Sequence, residues 1–217
     1  MNDKLLKLSE EKRQKIINAA LEEFAVQGYN KASTDVIVSK AEISKGSLFN
    51  YFENKLNLYI YVVQYIIETS SNHMLEQIKK IKEQDFYDRL KQIAIIKYEY
   101  TMSHPLETQI LKTYATSMLI QLPHLSDHII DYQQTQETVL EEFLIPYIDE
   151  NKLKPGITRE DILFMTYTVL EGIIRREHEM GKMKPNKEVM NKKYAYIEVD
   201  KYIEILKYGV YKNEYNV

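Results

Sequence analysis

The chain has no cysteine and no tryptophan, and only six glycines and five prolines among its 217 residues. Without cysteine, disulfides and cysteine-ligated metal are excluded, which suits a reducing cytoplasm. No apolar run approaches the ~18 residues that a membrane helix needs. Met1–Glu11 carries neither an apolar stretch nor a small-residue cleavage pattern. A soluble, cytoplasmic protein is the expectation. Charge of one sign is also lacking: 29 Lys and Arg stand against 32 Asp and Glu, a net charge of −3. Residues 1–60 hold nine basic and eight acidic side chains, and the remainder holds twenty against twenty-four. A protein that coats nucleic acid through charge alone would be far more basic.

Few helix breakers among many helix-tolerant residues point to an almost all-α chain. Its length suits one small module plus a larger helical domain. Eighteen tyrosines are present, explained in part by base composition and in part by packing with a polar handle. Two short helices around a tight turn are legible between Ser33 and Leu58. Ile37 and Ala41 are four apart, and so are Leu48 and Phe52, so each helix has one narrow apolar edge. Thr34, Ser44, Lys45, Gly46, Ser47, Asn50 and Tyr51 are left facing outward. Small, hydroxylated, amide-bearing and basic groups are those that touch phosphates and base edges. The pattern predicts a helix-turn-helix that reads duplex DNA in the major groove.

The run Ser44-Lys45-Gly46-Ser47-Leu48-Phe49-Asn50-Tyr51-Phe52, followed by Lys55 and Leu58, resembles the TetR (tetracycline repressor) family of bacterial transcription regulators. Upstream, Ile16, Ala20, Phe24 and Gly28-Tyr29 fit that family's first helix and its exit. The resemblance covers roughly residues 8–65. It implies a three-helix DNA-binding domain over 1–54 and a helical effector-binding and dimerisation domain over 55–217, about nine helices in all. It makes Lys45–Phe52 the recognition helix. Ser33 or Thr34 caps the helix before it, Gly46 permits close approach to the duplex, and Ser44, Lys45 and Ser47 lie at a helix N-terminus that favours phosphate. Asn50 is the candidate for base-edge reading, Thr34 and Tyr51 for phosphate, and Lys55 for a further phosphate through its ammonium and backbone N–H. Three residues depart from the family pattern. Phe49 replaces a frequent tyrosine and offers only apolar contact, Glu53 stands where a basic residue is common, and Glu42 lacks the turn's usual glycine. If that turn requires positive φ, Glu42 is strained.

Beyond residue 60 the periodicity predicts helices over about 55–80, 85–103, 106–118, 125–147, 158–181 and 186–212. Ser9 caps the first helix and Gly28 ends it. Pro105 suits a first turn, Pro146 ends or kinks the long helix, and Lys154-Pro155-Gly156 is a break. By the resemblance, the last two helices form a homodimer interface. The candidates are Ile162, Met165, Val169, Gly172 and Arg176 on one and Ala195, Val199, Tyr202 and Leu206 on the other; packing within their own domain is the alternative for each. An effector site for a small apolar or aromatic molecule is expected among Tyr98, Met102, Tyr114, Met118, Gln136, Phe143, Tyr147, Phe164 and Tyr167, with plain core as the alternative. Glu99, Glu107 and Glu171 could counter a cation, or simply face solvent. His124 and His128 lack a third ligand, so neither metal nor cofactor is expected. No catalytic constellation is present. The expected function is a dimeric repressor that binds a palindromic operator and releases it when an effector enters. The alternative is a chromosome-organising DNA-binding protein with the same head and a filled body.

Overall fold

The computed structural model describes residues 8–114, 139–183 and 192–210. Its main elements are α1 (Glu10–Lys31), α2 (Thr34–Lys40), α3 (Lys45–Phe52), α4 (Lys55–Ile78), α5 (Phe86–Ser103), α6 (Pro105–Thr113), α7 (Arg159–Met183) and α8 (Lys192–Val210). Two 3₁₀ turns, Ile145–Tyr147 and Glu150–Lys152, follow a helical stretch at 139–143. The fold is all-α. Among the described residues no helix is long and apolar enough to cross a membrane. The chain forms two compact units, one of Met1–Met74 with Glu99–Gln136 and the other of Leu75–Tyr98 with Glu137–Val217.

The first unit packs around the apolar edges that the sequence spacing marks. Ile16, Ala20 and Phe24 of α1, Ile37 of α2, Leu48 and Phe52 of α3, and Leu58, Val62 and Ile66 of α4 share one core, closed by Ile110 and Tyr114. Each large side chain buried there contributes roughly 1.5–3 kcal/mol relative to exposure. One detail of α1 differs from expectation. Ser9 stands at the N-cap, but its side chain makes no cap hydrogen bond; its carbonyl accepts from Arg13 N at 3.0 Å. Gly28, at φ 70° and ψ 166°, ends the first helical run as expected, and a further turn follows it, closed where Ala32 N donates to Gly28 O at 3.1 Å.

In the second unit, α5 starts on the Asp85 carboxylate, which accepts from Tyr87 N at 3.0 Å and Asp88 N at 3.2 Å. Lys207 of α8 reaches both acids, at 3.3 Å from Asp85 and 2.7 Å from Asp88. Lys91 pairs with Asp200. Thr158 and Asp161 cap α7 reciprocally, with Asp161 N donating to Thr158 Oγ1 at 3.2 Å and Thr158 N to Asp161 Oδ2 at 2.9 Å. The Thr158 N–H, together with the Thr158 hydroxyl that donates to the same Oδ2 at 2.9 Å, holds the Asp161 carboxyl below its usual range. Pro146 lies in the first 3₁₀ turn, after the helical stretch has ended, and Gly156, at φ 83°, serves the Lys154-Pro155-Gly156 break.

Arg89 is buried in this unit, 2 % exposed. Its guanidinium donates to the carbonyls of Phe143 (2.9 Å), Ile81 (3.2 Å) and Glu83 (2.9 Å) and lies 3.7 Å from the centroid of the Tyr147 ring. A buried cation is tolerable only when such acceptors replace its water.

Candidate nucleic-acid interface

Backbone hydrogen bonds fix the turn between α2 and α3. Ala41 N donates to Ile37 O at 2.9 Å, and Ile43 N to Val38 O at 3.1 Å. Glu42 sits between them at φ 55°, the left-handed conformation that its lack of a glycine made costly. Its carboxylate accepts from Lys15 at 2.9 Å. That hydrogen bond raises the Lys15 ammonium above its usual pKa and lowers the Glu42 carboxyl below its own.

α3 opens on Ser44, whose Oγ accepts from Ser47 N at 3.0 Å and lies 2.8 Å from Ser47 Oγ. The two serines therefore complete the helix cap, fixing the first turn. With Leu48 and Phe52 buried, Ser44, Lys45, Gly46 and Asn50 are exposed and Ser47, Phe49 and Tyr51 are half-buried. Gly46 is not required by packing, because a Cβ there would meet nothing nearer than Ser44 Oγ at 3.9 Å. Such a glycine costs an exposed helix about 0.5–1 kcal/mol, and close approach of an outside surface is the use that offsets it.

Ser33, at the N-cap of α2, makes no side-chain cap bond. Its N–H donates instead to Glu23 Oε1 at 2.9 Å, and Glu23 is buried. Thr34, half-buried, opens the helix. Lys55 differs most from its expected use. Its ammonium donates to Asn30 O and Ala32 O, each at 3.2 Å, and stands 4.8 Å over the Tyr29 ring. The side chain thus holds the end of α1, for the reason any cation suits a helix C-terminus.

Other head cations are held within the protein too. Lys40 pairs with Glu22 at 3.0 Å, Arg13 pairs with Glu10, and Lys45 pairs with Asp35 at 2.8 Å. Asp35 is not legible in the sequence as a partner of Lys45, because an acid in the first turn of a helix already has an explanation in the helix dipole. Glu23 was hidden by its place on an otherwise apolar face of α1.

The expected effector residues do not form one described cluster. Tyr114 is in the core of the first unit. The Tyr147 ring is covered by Arg89, which also takes the backbone carbonyl of the half-buried Phe143. Tyr98 and Met102 are half-buried. Phe164 and Tyr167, each 69 % exposed, stand on the outer face of α7 rather than inward. Met118 and Gln136 lie outside the described residues, as do His124 and His128. Of the expected interface residues, Ile162 and Leu206 are buried inside their own unit, where their apolar surface is already used. Met165 is 45 % exposed, Gly172 is exposed, and Val169, Val199 and Tyr202 are half-buried. The side chains of Arg176, Ala195 and Glu171 fall outside the description. Among the described residues, the large apolar groups that α7 and α8 leave exposed are Phe164, Met165, Tyr167, Ile205 and Tyr208.

Residues 16–62 match the family profile described as bacterial regulatory proteins, tetR family. A curated relative is the HTH-type transcriptional regulator SrpR of Pseudomonas putida, 41% identical over 68 residues, which are 31% of this chain and 30% of that protein. Another is the HTH-type transcriptional regulator RutR of Escherichia coli, 26% identical over 158 residues, or 72% of this chain and 70% of that one. The match therefore takes in under a third of SrpR's length. Among solved structures, the transcriptional regulator FadR from Bacillus subtilis in complex with stearoyl-CoA shares the fold with a TM-score of 0.63. It is 18% identical, and the alignment covers 91% of this chain and 99% of that one.

Proposed function

We propose that this chain, which belongs to the tetR family of bacterial regulatory proteins, is a dimeric repressor that reads a palindromic operator and is released by a small apolar or aromatic effector. The observation that carries the reading is the first turn of α3. There the Ser44–Ser47 cap fixes a helix N-terminus whose exposed residues are Lys45, Gly46 and Asn50. Asn50 contacts a base edge, Ser44, Ser47, Thr34 and Tyr51 contact phosphates, and Phe49 offers apolar surface to a thymine methyl. Lys55 acts through its backbone N–H in the first turn of α4, its ammonium being held by α1 carbonyls. Ser33 supports the start of α2.

Two half-sites require two heads, and the exposed apolar face of α7 and α8 supports self-association. The stearoyl-CoA bound by FadR supports an apolar effector for this chain. The experiment is a gel shift against DNA selected from a random duplex pool. Asn50→Ala and Lys45→Ala are expected to abolish the shift with the helical circular dichroism unchanged. Unaltered affinity in both variants would overturn the assignment.

A further inference from the structure

An acid projects from the face that the proposed function presents to a polyanion. Asp35, in the first turn of α2, holds Lys45, the first residue of α3, with Oδ1 and Nζ 2.8 Å apart. Both side chains are more than half exposed, so the pair contributes little to folding stability. Fold stability offers this carboxylate only the helix-dipole gain of a first-turn acid, about 0.3–1 kcal/mol, and near phosphates it is unfavourable by itself.

The chemistry of the lysine supplies a role. A lysine ammonium is a point charge on a flexible stem with three donors. Left alone at a helix N-terminus, it moves among the nearest phosphates and carries no sequence information. Asp35 occupies one donor and draws the stem across toward α2, leaving two N–H groups. A guanine edge in the major groove offers two neighbouring acceptors, O6 and N7, to match them. Among the described residues, the other acid–base pairs of the head, Arg13–Glu10, Lys15–Glu11, Lys15–Glu42 and Lys40–Glu22, involve no residue of α3. Asp35 alone among them acts on the recognition helix.

We propose that Asp35 is a positioning residue for sequence recognition: by holding Lys45 it directs that ammonium to a guanine edge and keeps it from the phosphate backbone. The inference rests on the DNA-reading function above. It adds a G·C requirement in each half-site and assigns it to a residue outside the recognition helix. It also fits the near-neutral head, in which cations are restrained rather than left to bind any duplex.

The test selects bound duplexes from a random pool with the wild type, Asp35→Asn, Asp35→Glu and Lys45→Ala, and measures the salt dependence of binding for each. The wild type is expected to enrich a G·C pair in each half-site. Asp35→Asn is expected to reduce that preference roughly tenfold and to bind unrelated DNA more tightly. Its log affinity against log salt is expected to steepen by about 0.9 per head as Lys45 gains a phosphate. Asp35→Glu restores part of the preference, and Lys45→Ala, which abolishes the operator shift, keeps only weak unselective binding without the steepening. If Asp35→Asn selects the same sequence with the same salt slope, the inference is overturned while the DNA-reading function stands. If the wild type selects no sequence, the function itself fails and takes the inference with it.

Discussion

The N–H of Asn54 donates to the carbonyl of Phe52 at 2.7 Å, closing a turn of three residues between α3 and α4. The residue inside it, Glu53, is held at φ 65° and ψ −47°. This is the γ-turn of rare, strained hand. Asn54 then caps α4 by accepting from Asn57 N at 2.9 Å. The chain thus leaves the proposed recognition helix and re-enters a helix within two residues. The direction of that exit depends on a conformation that L-residues disfavour, as does the φ of Glu42 on the other side of α3.

Replacing Glu53 by glycine removes the Cβ clash at the cost of a more flexible unfolded chain. The net expectation is a gain of up to about 1 kcal/mol, or about 2–4 °C in the melting temperature of a chain this size. The substitution also removes a negative charge from beside the DNA-facing helix, so operator affinity rises as well. A thermal melt and a gel shift on the same preparation check both. A lower melting temperature would mean that the turn is not under strain.

Tyr59 supplies a second prediction. It is 1 % exposed among Phe24, Tyr29 and Tyr114, with ring centroids 4.9, 5.2 and 6.3 Å away, and among the described residues its hydroxyl has no hydrogen-bond partner. Tyr59→Phe therefore stabilises the fold by about 1–3 kcal/mol at neutral pH, the cost of an unsatisfied buried hydroxyl. Burial also pushes the Tyr59 phenol up to about 12 from its ordinary 10. Below pH 10 both folded and unfolded states keep this proton. Above it the unfolded state releases the proton first, so stability falls as pH rises toward 12, by about 2.7 kcal/mol over the full interval. Denaturant melts at pH 8 and near pH 11 are expected to show Tyr59→Phe gaining on the wild type at the higher pH. Burial likewise raises Tyr61, Tyr87, Tyr100 and Tyr114, so the variant keeps part of the alkaline slope.

How far the fold can be read from the sequence depends on how local the cause is. The pairs Ile37 with Ala41 and Leu48 with Phe52 mark edges that are buried in the structure, because helical periodicity converts directly into a face. The strain at Glu42 follows from a missing glycine. Arg89 could not be found that way. Its acceptors lie 6, 8 and 54 residues distant, and they are backbone carbonyls, which carry no residue-specific signal. The same limit applied to Lys55, whose basic charge suggested phosphate while the carbonyls of Asn30 and Ala32 were nearer. On α7, apolar residues occur around more than one side, so spacing did not say which side faces inward.

That ambiguity sets up a comparison of two residues three positions apart. Ile162 is 1 % exposed and Met165 is 45 % exposed, although one apolar row through α7 holds both. If Met165 lies in a homodimer interface with Phe164, Tyr167, Ile205 and Tyr208, a charge there separates the protomers without unfolding them. Met165→Glu is expected to sediment as a monomer with unchanged helical circular dichroism. Its operator affinity is expected to fall roughly a hundredfold or more, since the second half-site no longer gains from tethering. Ile162→Ala instead creates a cavity and costs about 2–5 kcal/mol of stability, with the dimer retained under native conditions. Sedimentation velocity on the two variants separates the roles. A dimeric Met165→Glu protein with wild-type operator affinity would exclude this face as the interface.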